Sequence, residues 1–445
     1  MSTVLAPPLS TAVLEWATLG ASARKLALAR PALQRSDNLA AGVARILAQV
    51  RADGDGALRA LTRRFDNCEI AEFAVTEQEF RAAEASLDPN VRSAIDEAKE
   101  RIEIFHRATA PQSLRIETAP GVACERILRP IERVGLYVPA GGAPLPSTAL
   151  MLGVPAQLAQ CPEITLCTPP NAAGECDAAV IYVAARCGIE RVLKLGGAQA
   201  IAAMAFGTES VSRCDKIFGP GNTWVTEAKR QVAADADGVA IDLPAGPSEV
   251  LVIADAHASP EAVAADLLAQ AEHGPDSQVI LVSDSRALLD HCLAELPRQL
   301  EQLPRREIAA ASLAHARLIL AASLDEALAI SNEYAPEHLI LNVDAPRRWL
   351  EKVENAGSVF LGPWSPESVG DYCSGTNHVL PTYGHARAWS GVSVASFLKQ
   401  ITVQELTPSG LRAIGPCAAT LARSEGLQAH ERAVTRRLAL LGEAP

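Results

Sequence analysis

The chain has no excess of basic charge. Forty Lys and Arg against 52 Asp and Glu leave a net charge of −12, with no basic run or basic amphipathic helix. A nucleic-acid partner wants a basic face, so that class is set aside. A clean apolar leader is missing too: the first 30 residues are rich in Ala and Leu but carry Glu15, Arg24 and Lys25. The longest uncharged stretch, 134–162, is broken by Pro139, Pro144, Pro146 and Pro155, so it does not read as a membrane span. Ten cysteines are scattered with no C-x-x-C pair, which argues against a thiolate zinc knuckle or a thioredoxin-like redox motif. They read as reduced core residues, and the expected compartment is cytoplasmic. There is no short-period repeat and no low-complexity tract.

What is present is a folding composition: 49% hydrophobic and 21% charged residues over 445 positions, enough for more than one core. Residues 1–30 read as an Ala-rich amphipathic helical opening. Residues 37–110 are mostly helical, with apolar spacings of three and four in "DNLAAGVARILAQVRADG" and "NVRSAIDEAKERIEIFHRA". Then short apolar runs alternate with helical segments: 134–139, 163–169, 191–197, 215–221, 249–255, 278–284, 316–322, 338–343 and 357–362. Near-continuous apolar strands separated by helices predict parallel sheets covered on both faces. Nine strands exceed one comfortable open sheet, so two α/β domains are expected. The stretches 398–405 and 416–441 read as helices.

Ligands of open α/β sheets bind beyond the carboxyl ends of strands, which directs attention to the segments after each strand. "FGPGNTW" (218–224) and "LGGAQAIAA" (195–203) are Gly-rich strand-to-helix turns. Such turns let backbone amides approach a phosphate, but neither carries the full dinucleotide fingerprint, and a glycine turn is also an ordinary structural device. In "LLAQAEHGPDSQ", Gln270 and His273 stand three apart at the end of a helix and can face one object. In "NEYAPEHLIL", Glu337 and His338 can supply general acid and base if both precede the ladder; a solvated strand end is the plain alternative. "SVGDYCSGTNHVLPT" offers Asp371 and His378, or simply a turn with Asp371 as a cap. Glu425 and His430 lie five apart on a C-terminal helix and alone read as surface residues. Gln270, His273, Asp371 and one more His would make a nitrogen- and oxygen-ligand set. That suits zinc or another divalent first-row ion better than magnesium.

Together, "GPGNTWVTEAKRQV", "DLPAGPSEVLVIAD", "LLAQAEHGPDSQ", "NEYAPEHL" and "VGDYCSGTNHVLPT" resemble the histidinol dehydrogenase family, in order and over nearly the whole chain. The resemblance implies two successive NAD-dependent oxidations of L-histidinol, through the aldehyde, to L-histidine. It implies a homodimer with zinc held by Gln270, His273, Asp371 and, from the neighbouring subunit, His430. Glu337 and His338 match the acid/base pair. Ser248, His378 and Glu425 match substrate contacts, and Tyr137, Gln199 and Asn222 match cofactor contacts. The competing expectation is a related zinc- and NAD-dependent dehydrogenase of another amino alcohol or diol. Two departures stand out: Gly274 after His273, and His385 in "PTYGHARAWSG". The expected architecture is two Rossmann-like αβα domains with parallel-rich sheets and small helical terminal segments. The first would use 31–136 and 249–392, and the second 137–248. Residues 1–30 would form an N-terminal helical segment, and 393–445 a helical tail swapped in the dimer.

Overall fold

The computed structural model describes residues 12–31, 37–140, 144–244 and 246–442; residues 1–11 of the expected N-terminal segment lie outside them. Contacts divide the chain into two units, 1–109 with 132–396, and 110–131 with 397–445.

The larger unit holds two parallel sheets. One runs in the order Val13–Glu15, Arg317–Leu320, Gln278–Ser283, Glu249–Ala254, His338–Asn342, Ser358–Leu361. Its two central strands, Glu249–Ala254 and Gln278–Ser283, are buried at every residue, and the apolar runs Val250–Ala254 and Val279–Val282 within them are what cover on both faces requires. Alternation sorts their side chains into two cores. Val250, Val252, Val279 and Leu281 meet the helices Pro260–Ala271 and Arg286–Leu300. Leu251, Ile253, Ile280 and Val282 meet the helix Leu324–Tyr334 and the N-terminal Trp16 and Leu28. The second sheet runs Arg191–Lys194, Glu163–Thr168, Arg133–Tyr137, Lys216–Phe218, Ala240–Ile241, also parallel throughout.

The expected domain boundaries need correcting. Helix Asp37–Asp66 does not join the strands of 249–361. Val43, Leu47, Val50, Leu58 and Leu61 pack instead with Leu193, Ile201, Ile217 and Val232 over the second sheet. That sheet also begins at Arg133 rather than 137. Residues 1–30 are not wholly helical, since Val13–Glu15 forms an edge strand before the short helix Ala21–Ala27.

The smaller unit is an antiparallel sheet, Leu398–Leu406, Val122–Pro130, Leu114–Ala119, with the packed helices Pro408–Ser424 and Gln428–Leu440. The expected helix at 398–405 is therefore a strand, paired residue for residue with Val122–Pro130. Gly121 turns the hairpin at φ +78, a conformation glycine adopts without penalty. Several large apolar side chains of this unit are exposed, among them Leu114, Ile116, Ile401, Leu421 and Leu440. Among the described residues no helix is long and apolar enough to cross a membrane.

Candidate active site

Three neighbouring strands of the first sheet begin with polar residues. Glu249 and Gln278 are in register, and His338 pairs with Val250 one position on. Helix Pro260–Ala271 starts under a Ser259 cap with Pro260 in its first turn. It runs back across the sheet, so its last turn brings Gln270 to this same edge. The short helix Glu367–Tyr372 packs against it and presents Asp371. The cluster thus gathers at the amino ends of these strands, not at the carboxyl ends that the sequence argument favoured.

His338 is its centre. Nδ1 lies 3.2 Å from the carbonyl oxygen of Glu249, 3.3 Å from Glu367 Oε1 and 3.7 Å from Glu337 Oε2; Nε2 lies 3.6 Å from Asp371 Oδ1. With a proton on Nδ1 shared with the Glu249 carbonyl, Nε2 keeps a free lone pair. Burial pushes this imidazole down to about 3, so at neutral pH it is uncharged. Glu337 immediately precedes the ladder, which lets both side chains serve one place. Its Oε2 accepts the Glu249 amide at 2.9 Å. Burial, and then the nearby charges of Glu249 and Asp371, raise its carboxyl well above the usual range. Burial likewise raises Glu367 and Asp371, and pushes Asp266, one turn before Gln270, up to about 6.

Gln270 is fully buried, with Nε2 2.9 Å from His273 Nδ1. The His273 ring shows surface to solvent, yet crowding by protein atoms, aided by Arg305, lowers its pKa. His378 is pushed down to about 4 by burial, and His273 is close enough to add to that effect.

Five buried polar atoms here have no hydrogen-bond partner: Gln270 Oε1, His338 Nε2, Glu367 Oε2, Asp371 Oδ1 and His378 Nε2. Folded proteins pair such atoms, so their convergence calls for an external partner. Ligand atoms of His338, Glu367 and Asp371 lie within 4.8 Å of one another. A surplus of carboxyls beside imidazoles and an amide oxygen fits a divalent cation and a polar, nitrogen-bearing ligand.

The histidinol dehydrogenase family model matches residues 29–438. The chain belongs to the histidinol dehydrogenase family. The histidinol dehydrogenase of Xanthomonas euvesicatoria pv. vesicatoria is 59% identical over 96% of this chain and 99% of its own length. That of Vibrio vulnificus is 53% identical over 95% and 97%. The crystal structure of the histidinol dehydrogenase from Elizabethkingia anophelis is 48% identical and superposes with a TM-score of 0.92 over 96% of this chain and 98% of that one.

Of the residues that the histidinol dehydrogenase resemblance nominated, Gln270, His273, Glu337, His338, Asp371 and His378 come together. Ser248 sits beside them, half-buried, its carbonyl accepting the Gln278 amide at 3.2 Å. Glu425 and His430 belong to the smaller unit, where both are exposed, at the end of one helix and in the first turn of the next. Tyr137, Gln199 and Asn222 stand at the carboxyl ends of the second sheet. There the Tyr137 hydroxyl accepts the Gly197 amide at 3.0 Å. Asn222 Oδ1 accepts the Trp224 and Val225 amides at 3.0 and 3.1 Å, so it already satisfies the start of helix Thr223–Ala234 that a phosphate would otherwise use. Gly219 is required by packing, since a Cβ would stand 2.1 Å from the Tyr137 carbonyl oxygen at φ +118. A Cβ at Gly274 would meet only Ser277 Oγ, in ordinary contact at 3.9 Å, and His385 is exposed at the start of a short 3-10 helix.

Sequence reasoning missed Glu367 and Glu249. Glu367 carried a usable signal, since it precedes Asp371 by one helical turn. Glu249 contributes to the cluster through its backbone, which no residue type announces.

Proposed function

We propose that this protein oxidises L-histidinol to L-histidine through histidinaldehyde, consuming one water and two NAD, and that it does so with a zinc ion. The observation that carries this reading is the set of five unpartnered buried polar atoms around an uncharged His338. Gln270, His273 and Asp371 would hold the metal, which when bound supplies positive charge that offsets the crowded carboxyls and orients the substrate's nitrogens. NAD, when bound, accepts a hydride at each oxidation; Tyr137 and Gln199 are the residues nominated to lie along it. The unpartnered atoms suit a cation, whereas the glycine turns of the second sheet are accounted for by packing and by the Asn222 cap.

In the first oxidation His338 Nε2 takes the carbinol proton as hydride leaves the carbon. In the second, Glu337 as carboxylate removes a proton from the water that adds to the aldehyde, and hydride leaves the hydrate. His378 and Ser248 orient the imidazole and amine of the substrate, with Glu425 receiving the ammonium group. Keeping the aldehyde enclosed between steps protects it from escape.

We further infer a homodimer in which Glu425 and His430 serve the partner's site. The exposed apolar side chains of the smaller unit support an interface there. A cytoplasmic location accords with ten scattered cysteines, most of them buried. NADH absorbance with L-histidinol, before and after chelation, tests the reading. Two NADH per histidinol, lost with the metal and restored on adding zinc, are expected. A yield of one NADH would remove the water-activating role from Glu337.

A further inference from the structure

We propose that Arg30 is a positioning residue that, through Glu249, fixes where the Glu337 carboxyl and the His338 imidazole stand; this rests on the acid/base reading of that pair given above. One residue touches both groups with its backbone. The Glu249 amide donates to Glu337 Oε2 at 2.9 Å, and its carbonyl oxygen lies 3.2 Å from His338 Nδ1. Moving Glu249 therefore moves the acid and the base together.

What holds Glu249 is its side chain, 1% exposed. Arg30 donates to it through Nε at 2.6 Å and Nη2 at 3.1 Å. The Tyr334 hydroxyl and the Tyr383 amide complete the carboxylate's partners. Arg30 also grips the chain that enters the pair from the other side. Its Nη2 donates to the carbonyls of Tyr334 at 2.8 Å and Ala335 at 3.3 Å, and its guanidinium lies 3.9 Å over the Tyr334 ring. Ala335, two residues before Glu337, is held at φ +54, a left-handed conformation that a non-glycine residue keeps only when its surroundings enforce it. Tyr383, at φ +55, is another such residue and again touches Glu249. Two strained positions meeting on one ion pair indicate a geometry held for function rather than one relaxed for stability.

A buried ion pair adds little to stability over apolar residues of the same shape, so stability alone does not account for this one. The planar fork matters, because a lysine cannot reach two carboxylate oxygens and two carbonyls at once. The charged groups facing the Glu337 carboxyl are Glu249, Asp371 and Glu367, with His338 beside it. With Arg30 removed, the Glu249 charge loses its partner and opposes ionisation of Glu337 more strongly.

The test is steady-state oxidation of L-histidinol by the zinc-loaded full chain, from about pH 6 to 10, with metal content and Tm measured alongside. Arg30→Lys should lower kcat by about 10- to 100-fold, by analogy with supporting residues elsewhere. KM should stay within about threefold and metal content should be unchanged. Arg30→Met should do the same more severely and, with the charge beside Glu249 gone, move the acid limb of kcat to higher pH; if it does not accumulate as folded protein, the kcat of Arg30→Lys decides. A folded Arg30→Lys protein with parental kcat overturns the proposal, even if its Tm falls. His338→Asn separates the two readings. If it is inactive while Arg30→Lys is parental, only the clamp fails; if it keeps parental activity, the acid/base reading fails and takes the clamp with it.

Discussion

His106 lies outside the candidate site and offers a clean pH test of how the site is supported. It sits in the last turn of helix Pro89–Ala108, 1% exposed, with Nε2 3.5 Å from Asn377 Nδ2 and Nδ1 buried without a partner. Burial alone pushes its pKa down to about 4. Asn377 in turn donates to the Met151 carbonyl at 2.7 Å and accepts the Val379 amide at 2.9 Å, framing the loop that carries His378. The sign follows from proton counting. Below an unfolded value near 6.5 the unfolded chain binds a proton that the fold refuses, so stability is full above that value and falls as pH drops towards 4. Between about pH 7.5 and 5 the loss from this one group is roughly 2 kcal/mol, trimmed to about 1–2 by solvent screening at the helix end. His106→Gln removes the term and leaves every other titrating group in place. Urea unfolding of parent and variant at the two pH values should show the parent's advantage shrinking by about that amount on acidification. A gap that stays constant with pH would mean that His106 takes up its proton in the fold as easily as in the unfolded chain, and the burial argument would be refuted.

Asp371→Asn should bind zinc at least about tenfold more weakly, read by metal analysis after dialysis; stoichiometric zinc would remove Asp371 from the ligand set. Gly219→Ala must place a Cβ against the Tyr137 carbonyl at positive φ, and should cost about 2–4 kcal/mol in unfolding free energy. Chelation of the zinc-loaded protein should lower Tm, since a ligand present at 100 times its Kd contributes about 2.7 kcal/mol; a Tm indifferent to chelator would argue that the five unpartnered atoms do not hold a cation. Mixing His430→Ala with His338→Ala subunits should restore about a quarter of parental activity if His430 serves the partner, because half the dimers are mixed and each has one intact site of two. No recovery would place His430 in its own subunit's site.

The parts of the fold that were legible share one physical property. Glu249–Ala254, Gln278–Ser283 and His338–Asn342 are buried at every position, so between their polar ends the residues are apolar in sequence, and a run of that kind has few other uses. The hairpin Leu114–Pro130 and the strand Leu398–Leu406 escaped because most of their positions are exposed or half-exposed. They carry charges that pair across strands, Arg115 with Glu125 at 3.0 Å and with Glu405 at 3.1 Å. A strand whose partner lies nearly 300 residues away leaves no local periodicity to find. The site divides along a similar line. Gln270 and His273 were legible as a pair because helix geometry makes residues three apart neighbours. Their edge of the sheet was not, because it depends on where helix Pro260–Ala271 ends after crossing back. Glu249 and Arg30 were least legible of all. One acts through backbone atoms that every residue possesses, the other from a distance of 219 positions along the chain. Side-chain identity reports chemistry that faces a ligand. The groups that hold such chemistry in place show only when buried polar atoms are paired one by one, and that same accounting leaves five unpaired around His338.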